Sequence, residues 1–184
     1  MKPEDVTTDG KSVVVRPPGR PIETHEFSTA EVAERRVRFM REGLSWVGTP
    51  FVDCADVKGP NGGVDCGMLL VRSGIDTGLV EPFDPRPYSP RHMLSSSEEK
   101  FIGWLERLGA KETDRPRVGD VLVWQFGRCF CHGGILLSDR EIVHAYVADG
   151  MCSVSPLRTD LLMYIGVGHV RVPRPVKYFE LWGY

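Results

Sequence analysis

Apolar residues at Ala33, Val37, Met40, Leu44 and Val47 recur at spacings of four and three, the stripe that an amphipathic helix buries. Ser28 followed by Glu31 predicts its capping box, and Gly48-Thr49-Pro50 predicts its stop. Arg35, Arg36, Arg38 and Arg41 occupy the other faces and read as a solvated surface. A second helix is expected from Asp65, its N-cap, through Cys66 into the apolar run Met68-Leu69-Leu70-Val71. A third starts near Ser97-Glu98-Glu99, carries Phe101, Trp104, Leu105 and Leu108, and stops at Gly109.

From Gly119-Asp120 onward the period changes to two. Residues 121–126, 132–137, 141–147, 151–154 and 166–172 read as strands, with Ser138-Asp139-Arg140 as a tight hairpin connection. Helices first and strands second, joined by short connections, predict an α+β domain on an antiparallel sheet of about five strands. Residues 81–90 hold four prolines and form a stiff loop. Residues 1–27 carry Pro3, Pro17, Pro18 and Pro21 among charges and read as an extended arm ahead of a domain over 28–184. Within that arm, Val13-Val14-Val15 is β-rich enough to add a strand to a neighbour's sheet edge.

Composition narrows the functional classes. A chain of 184 residues fits one domain, and a formal net charge of −2 gives no support for a nucleic-acid or polybasic membrane surface. No apolar run is long enough to span a bilayer, and the first residues lack the apolar core of a secretion signal, so synthesis in the cytosol is expected. Five cysteines, an odd number, argue against a disulfide framework and raise thiol chemistry or metal binding instead.

The chemistry converges on Cys66. It follows the glycine-rich approach Gly59-Pro60-Asn61-Gly62-Gly63 and lies in the first turn of its helix. Unpaired N–H groups and the positive end of the helix dipole favour a thiolate there, while Asp65 partly opposes it. On this segment alone, a small buried hydrophobe is an equal reading. A nucleophilic cysteine needs a base, and the base needs an orienting group. His132 opens one strand and His144 lies in the next, with the same parity about the hairpin, so both can face one side of the sheet.

Val64-Asp65-Cys66-Gly67, His132-Gly133-Gly134-Ile135 and Val143-His144-Ala145 together resemble the NlpC-type cell-wall cysteine peptidases, which have a papain-like fold. The likeness is to the phage-tail variety, with further landmarks at 46–51, 57–59, Pro87-Tyr88-Ser89-Pro90 and 116–121. The resemblance implies hydrolysis of an amide in the peptide stem of peptidoglycan, without a metal or other cofactor. Cys66 is then the nucleophile, His132 the base and later the acid, and His144 its orienting group. The Cys66 N–H would serve the oxyanion, in a pocket with Asp65, Gly67 and Phe51. It further implies a virion tail-tip component that acts at the bacterial wall and meets its tail partners through the arm.

Two positions depart from the family pattern. Phe51 stands where relatives commonly carry a tyrosine whose hydroxyl helps at the oxyanion site, and Gly67 stands where serine is frequent. Two rival readings follow from the residues. Cys129-Phe130-Cys131-His132 offers soft ligands to zinc, although Cys-X-Cys is tight for one tetrahedral ion and a partner pair is missing. The other rival is a structural tail-tip protein with the peptidase fold and weak or no activity.

Overall fold

The computed structural model describes residues 1–89, 92–164 and 169–182. The chain opens with β1 (Val6–Asp9), β2 (Ser12–Val15) and β3 (Glu23–Glu26), an antiparallel sheet in that order. The arm expected over residues 1–27 is therefore folded. β2 is paired on both sides, and Val6, Val13 and Val15 are wholly buried in the main core, so the valine run is not free for a neighbour's edge. The prolines that suggested an arm, Pro17, Pro18 and Pro21, fall in the β2–β3 connection, where they interrupt no strand.

α1 (Ala30–Ser45) follows, capped by the Thr29 hydroxyl, which accepts the Val32 N–H at 3.1 Å, one residue later than expected. Its buried face holds Ala33, Val37, Met40 and Leu44. Arg36 is the exception to the solvated arginine face. It is fully buried, donating at 2.7 Å both to Asp120 Oδ1 and to the Val118 carbonyl. Asp120 also accepts the Arg117 N–H at 2.8 Å, and Phe27 stacks against the guanidinium. Hydrogen bonds to the Val118 carbonyl and from the Arg117 N–H accompany this buried ion pair and offset part of its desolvation.

β4 (Asp56–Val57) and β5 (Gly63–Val64) form a short ribbon that leads into α2 (Cys66–Asp76). α3 (His92–Ser95) and α4 (Lys100–Arg107) come next, then β6 (Lys111–Thr113). β7 (Val121–Phe126), β8 (Cys129–Ser138), β9 (Glu141–Tyr146) and β10 (Met151–Pro156) form a meander. β11 (Asp160–Tyr164) pairs with β12 (His169–Pro173), and β13 (Val176–Glu180) returns to the main sheet. The strand expected over 166–172 lies partly outside the described residues. Among the described residues the main sheet has six strands in the order β10-β9-β8-β7-β13-β6, all antiparallel.

Strand alternation sorts this sheet into two faces. Val121, Val123, Ile135, Leu137, Val143 and Ala145 pack under the helices, while Leu122, Trp124, Leu136, Ile142 and Tyr146 form a second cluster behind them. Gly133 lets the helical layer come close. A Cβ there would stand 2.5 Å from the Phe101 ring of α4 and 2.7 Å from Leu70 of α2. The start of α2 is thereby held against the N-terminal half of β8.

Candidate active site

Asp65 begins α2 from extended backbone, and its carboxylate accepts three hydrogen bonds. Oδ1 accepts the Met68 N–H at 2.8 Å, while Oδ2 accepts the Cys54 N–H at 2.7 Å and the Tyr88 hydroxyl at 2.6 Å. One buried carboxylate thus joins the helix start, the preceding loop and the proline-rich loop. Arg86 reinforces the junction by donating to the Cys54 carbonyl at 3.0 Å and pairing with Asp56 and Asp84. The Pro87–Pro90 stretch stood out in the sequence, but nothing local said that Tyr88 reaches the N-cap.

Cys66 is half-buried, and its thiol donates to the Cys131 carbonyl at 3.7 Å, with the Gly133 N–H directed at the sulfur. Burial and then the Asp65 charge push the thiol well above its ordinary value, outweighing the N–H groups of Gly133 and Gly67. Of the two opposed influences at the helix start, burial and the Asp65 charge prevail over the N–H groups, which favours the neutral thiol. The Met68 N–H, one of the free donors at the helix end, is already taken by Asp65.

His132 and His144 face the same side of the sheet, as their parity about the hairpin predicts. His132 Nε2 and His144 Nδ1 are 3.0 Å apart, so one hydrogen bond joins two buried imidazoles. Trp124, Phe126 and Tyr146 pack around the His132 ring. Burial, and next the neighbouring His144, hold His132 well below 6.5, with Asp149 opposing. At neutral pH His132 is unprotonated and can accept a proton.

Asp149, in the turn between β9 and β10, went unread in the sequence. Its Oδ2 lies 3.4 Å from His144 Nε2 and accepts the hydroxyls of Ser153 at 2.7 Å and Ser155 at 3.3 Å. Contact with His144 contributes most to holding its carboxyl down at about 2. The available signal was the turn dipeptide Asp149-Gly150 shortly after His144.

A cleft of about 340 Å³ opens over the start of α2. Cys66, His132, Asp65, Gly67 and Phe51 all line it, and Tyr88, Phe101, Trp104, Phe126, Phe130 and Tyr146 give it aromatic walls. Among the described residues His144 stands behind this lining, in contact with His132. Phe51 brings no hydroxyl, and the tyrosines in the lining are Tyr88 and Tyr146. Among the described residues, the donors that converge within 4.8 Å of one another belong to Glu23, His25 and Asp139, away from Cys129, Cys131 and His132.

Neither a protein-family model nor a curated protein sequence matches the chain. Solved structures do. The peptidoglycan hydrolase RipB of Mycobacterium tuberculosis is similar over 84% of this chain and 68% of its own, with a TM-score of 0.51 at 16% identity. The P60 domain of an antigen from M. avium subspecies paratuberculosis matches over 84% of this chain and 99% of its own, at TM-score 0.49 and 17% identity. RipD of M. tuberculosis, described as a non-catalytic NlpC/p60 domain protein adapted to peptidoglycan binding, matches over 76% and 94%, at TM-score 0.45 and 18% identity. With α2, the helix that starts at Cys66, packed on an antiparallel sheet, the chain has the papain-like, NlpC-type fold.

Proposed function

We propose that the protein is a cysteine peptidase that hydrolyses an amide bond in the peptide stem of peptidoglycan, delivered to the wall by a phage tail. The reading of the chemistry rests on one observation: the Cys66 thiol at the start of α2 and the His132 imidazole, backed by its hydrogen bond to His144, line a single cleft. Delivery by a tail rests on the motif resemblance at 46–51 and 87–90. It does not draw on a free arm, because residues 6–26 are folded into the domain.

In the proposed reaction the substrate carbonyl enters the cleft beside Cys66. His132 takes the thiol proton through Nδ1, the ring nitrogen not engaged by His144, as sulfur bonds to the carbonyl carbon. The N–H groups at the helix start, the Cys66 N–H among them, receive the oxyanion. The C–N bond then breaks, and His132 returns the proton to the departing amine. Water, activated by the same imidazole, hydrolyses the thioester and frees the thiol. Since thiol and imidazole are both neutral at rest, proton transfer accompanies attack.

A second reading, a structural tail-tip protein with weak or no activity, draws on two observations. The resting thiol hydrogen points at the Cys131 carbonyl, and Phe51 lacks the hydroxyl. Mass spectrometry of muropeptides after incubation of purified peptidoglycan decides between them. Cleaved stem peptides with wild type and none with Cys66→Ala support the peptidase, and intact stems with both leave the structural role.

A further inference from the structure

We infer that Asp149 is a positioning residue for the proposed reaction: its carboxylate, acting through His144, selects the tautomer in which His132 presents an unprotonated Nδ1 to the cleft. The inference rests on the peptidase reading for its purpose, but its geometry stands alone. A neutral imidazole carries one proton, and an ionised carboxylate only accepts. Asp149 Oδ2 lies 3.4 Å from His144 Nε2, at ion-pair distance but outside hydrogen-bond alignment, and through its charge it favours the proton on Nε2. His144 Nδ1 is then an acceptor, and across the 3.0 Å contact His132 Nε2 must be the donor. That leaves the lone pair of neutral His132 on Nδ1.

The reverse arrangement is the inactive one. A proton on His144 Nδ1 would be donated to His132 Nε2 and would force the His132 proton onto Nδ1, where no thiol proton can be accepted. It would also turn the Nε2 lone pair of His144 toward the Asp149 carboxylate. Ser153 and Ser155 donate to the same oxygen, which fixes the carboxylate in place. Both hydroxyls come from β10, so an edge strand that contributes nothing to the lining of the cleft sets the direction of its proton transfer.

The test uses long-range ¹H–¹⁵N correlation on histidine-labelled full-length protein, which reports the tautomer of each ring without any turnover. Wild type is expected to show His132 and His144 both protonated at Nε2. In Asp149→Asn, whose amide offers donor and acceptor alike, and in Asp149→Ala, both rings are expected to change together to mixed tautomers, with backbone shifts elsewhere unaltered. Asp149→Glu restores the wild-type pattern. On the substrate, kcat falls by about 10²-fold or more in the Asn variant at unchanged KM, the size of a lost general base. Wild type with His144 protonated at Nδ1 overturns the inference, and so do unchanged tautomers in Asp149→Asn. An inert wild type with the expected tautomers overturns the peptidase reading and leaves this one standing.

Discussion

Tyr88→Phe removes a single oxygen and tests whether the proline-rich loop governs the Cys66 thiol. That hydroxyl is one of three donors on the Asp65 carboxylate, at 2.6 Å, beside the N–H groups of Met68 and Cys54. A hydrogen bond to a charged group contributes about 1.5–3 kcal/mol net. In a domain of this size each kcal/mol moves Tm by roughly 2–4 °C, so a fall of about 3–12 °C is expected in thermal denaturation. The second effect is electrostatic. Asp65 is the leading charge that raises the Cys66 thiol. Without the phenol drawing on its charge, its field at the sulfur grows and the thiol rises further. Alkylation of Cys66, followed by peptide mapping across pH, is then slower than in wild type at every pH below the thiol's titration, and kcat/KM falls in parallel. An unchanged Tm together with an unchanged alkylation profile would refute the argument that Tyr88 and Asp65 act as a unit.

Three further predictions follow the same logic. His132 is buried neutral with its pKa depressed, so the unfolded chain binds more protons than the folded one below 6.5. Stability should be full above 6.5 and fall as pH drops toward the folded pKa, by at most about 1.4 kcal/mol per pH unit from this group, while the acid limb of kcat/KM lies below 6.5. Arg36→Ala strands the buried Asp120 carboxylate and should cost about 3–5 kcal/mol in denaturant unfolding, whereas the double change Arg36→Met with Asp120→Leu costs much less. Gly133→Ala drives a methyl into Phe101 and Leu70, and should lose about 1–3 kcal/mol of stability and displace the start of α2, lowering turnover of the folded fraction.

What the sequence made legible was what local pattern encodes. Period 3.6 marked α1 and α4, Asp65 marked the start of α2, and period two marked β7 to β10. The parity of His132 and His144 about their hairpin predicted the contact that the structure contains. What stayed hidden depends on pairings distant along the chain. β13 lies between β7 and β6, and nothing in Val176-Lys177-Tyr178-Phe179-Glu180 names those partners. Arg36 looked like one of four surface arginines because its counter-ion, Asp120, is 84 residues away. Residues 6–26 read as unstructured because their proline density masks the alternation of Val13 and Val15, and because the helix they cover comes later in the chain. Asp149 escaped notice because a turn aspartate is ordinary until the imidazole beside it is known.

In the proposed reaction Cys66 forms a covalent thioester with the substrate acyl group. Stoichiometric muropeptide mixed with wild type and quenched in acid on a millisecond-to-second series, then examined by intact mass and peptide mapping, tests it directly. The expected result is a transient acyl adduct on Cys66 that decays as free acid appears, together with no adduct and no product for Cys66→Ala. Product released by Cys66→Ala at the wild-type rate, or an adduct mapped to Cys54, Cys129, Cys131 or Cys152, would contradict it.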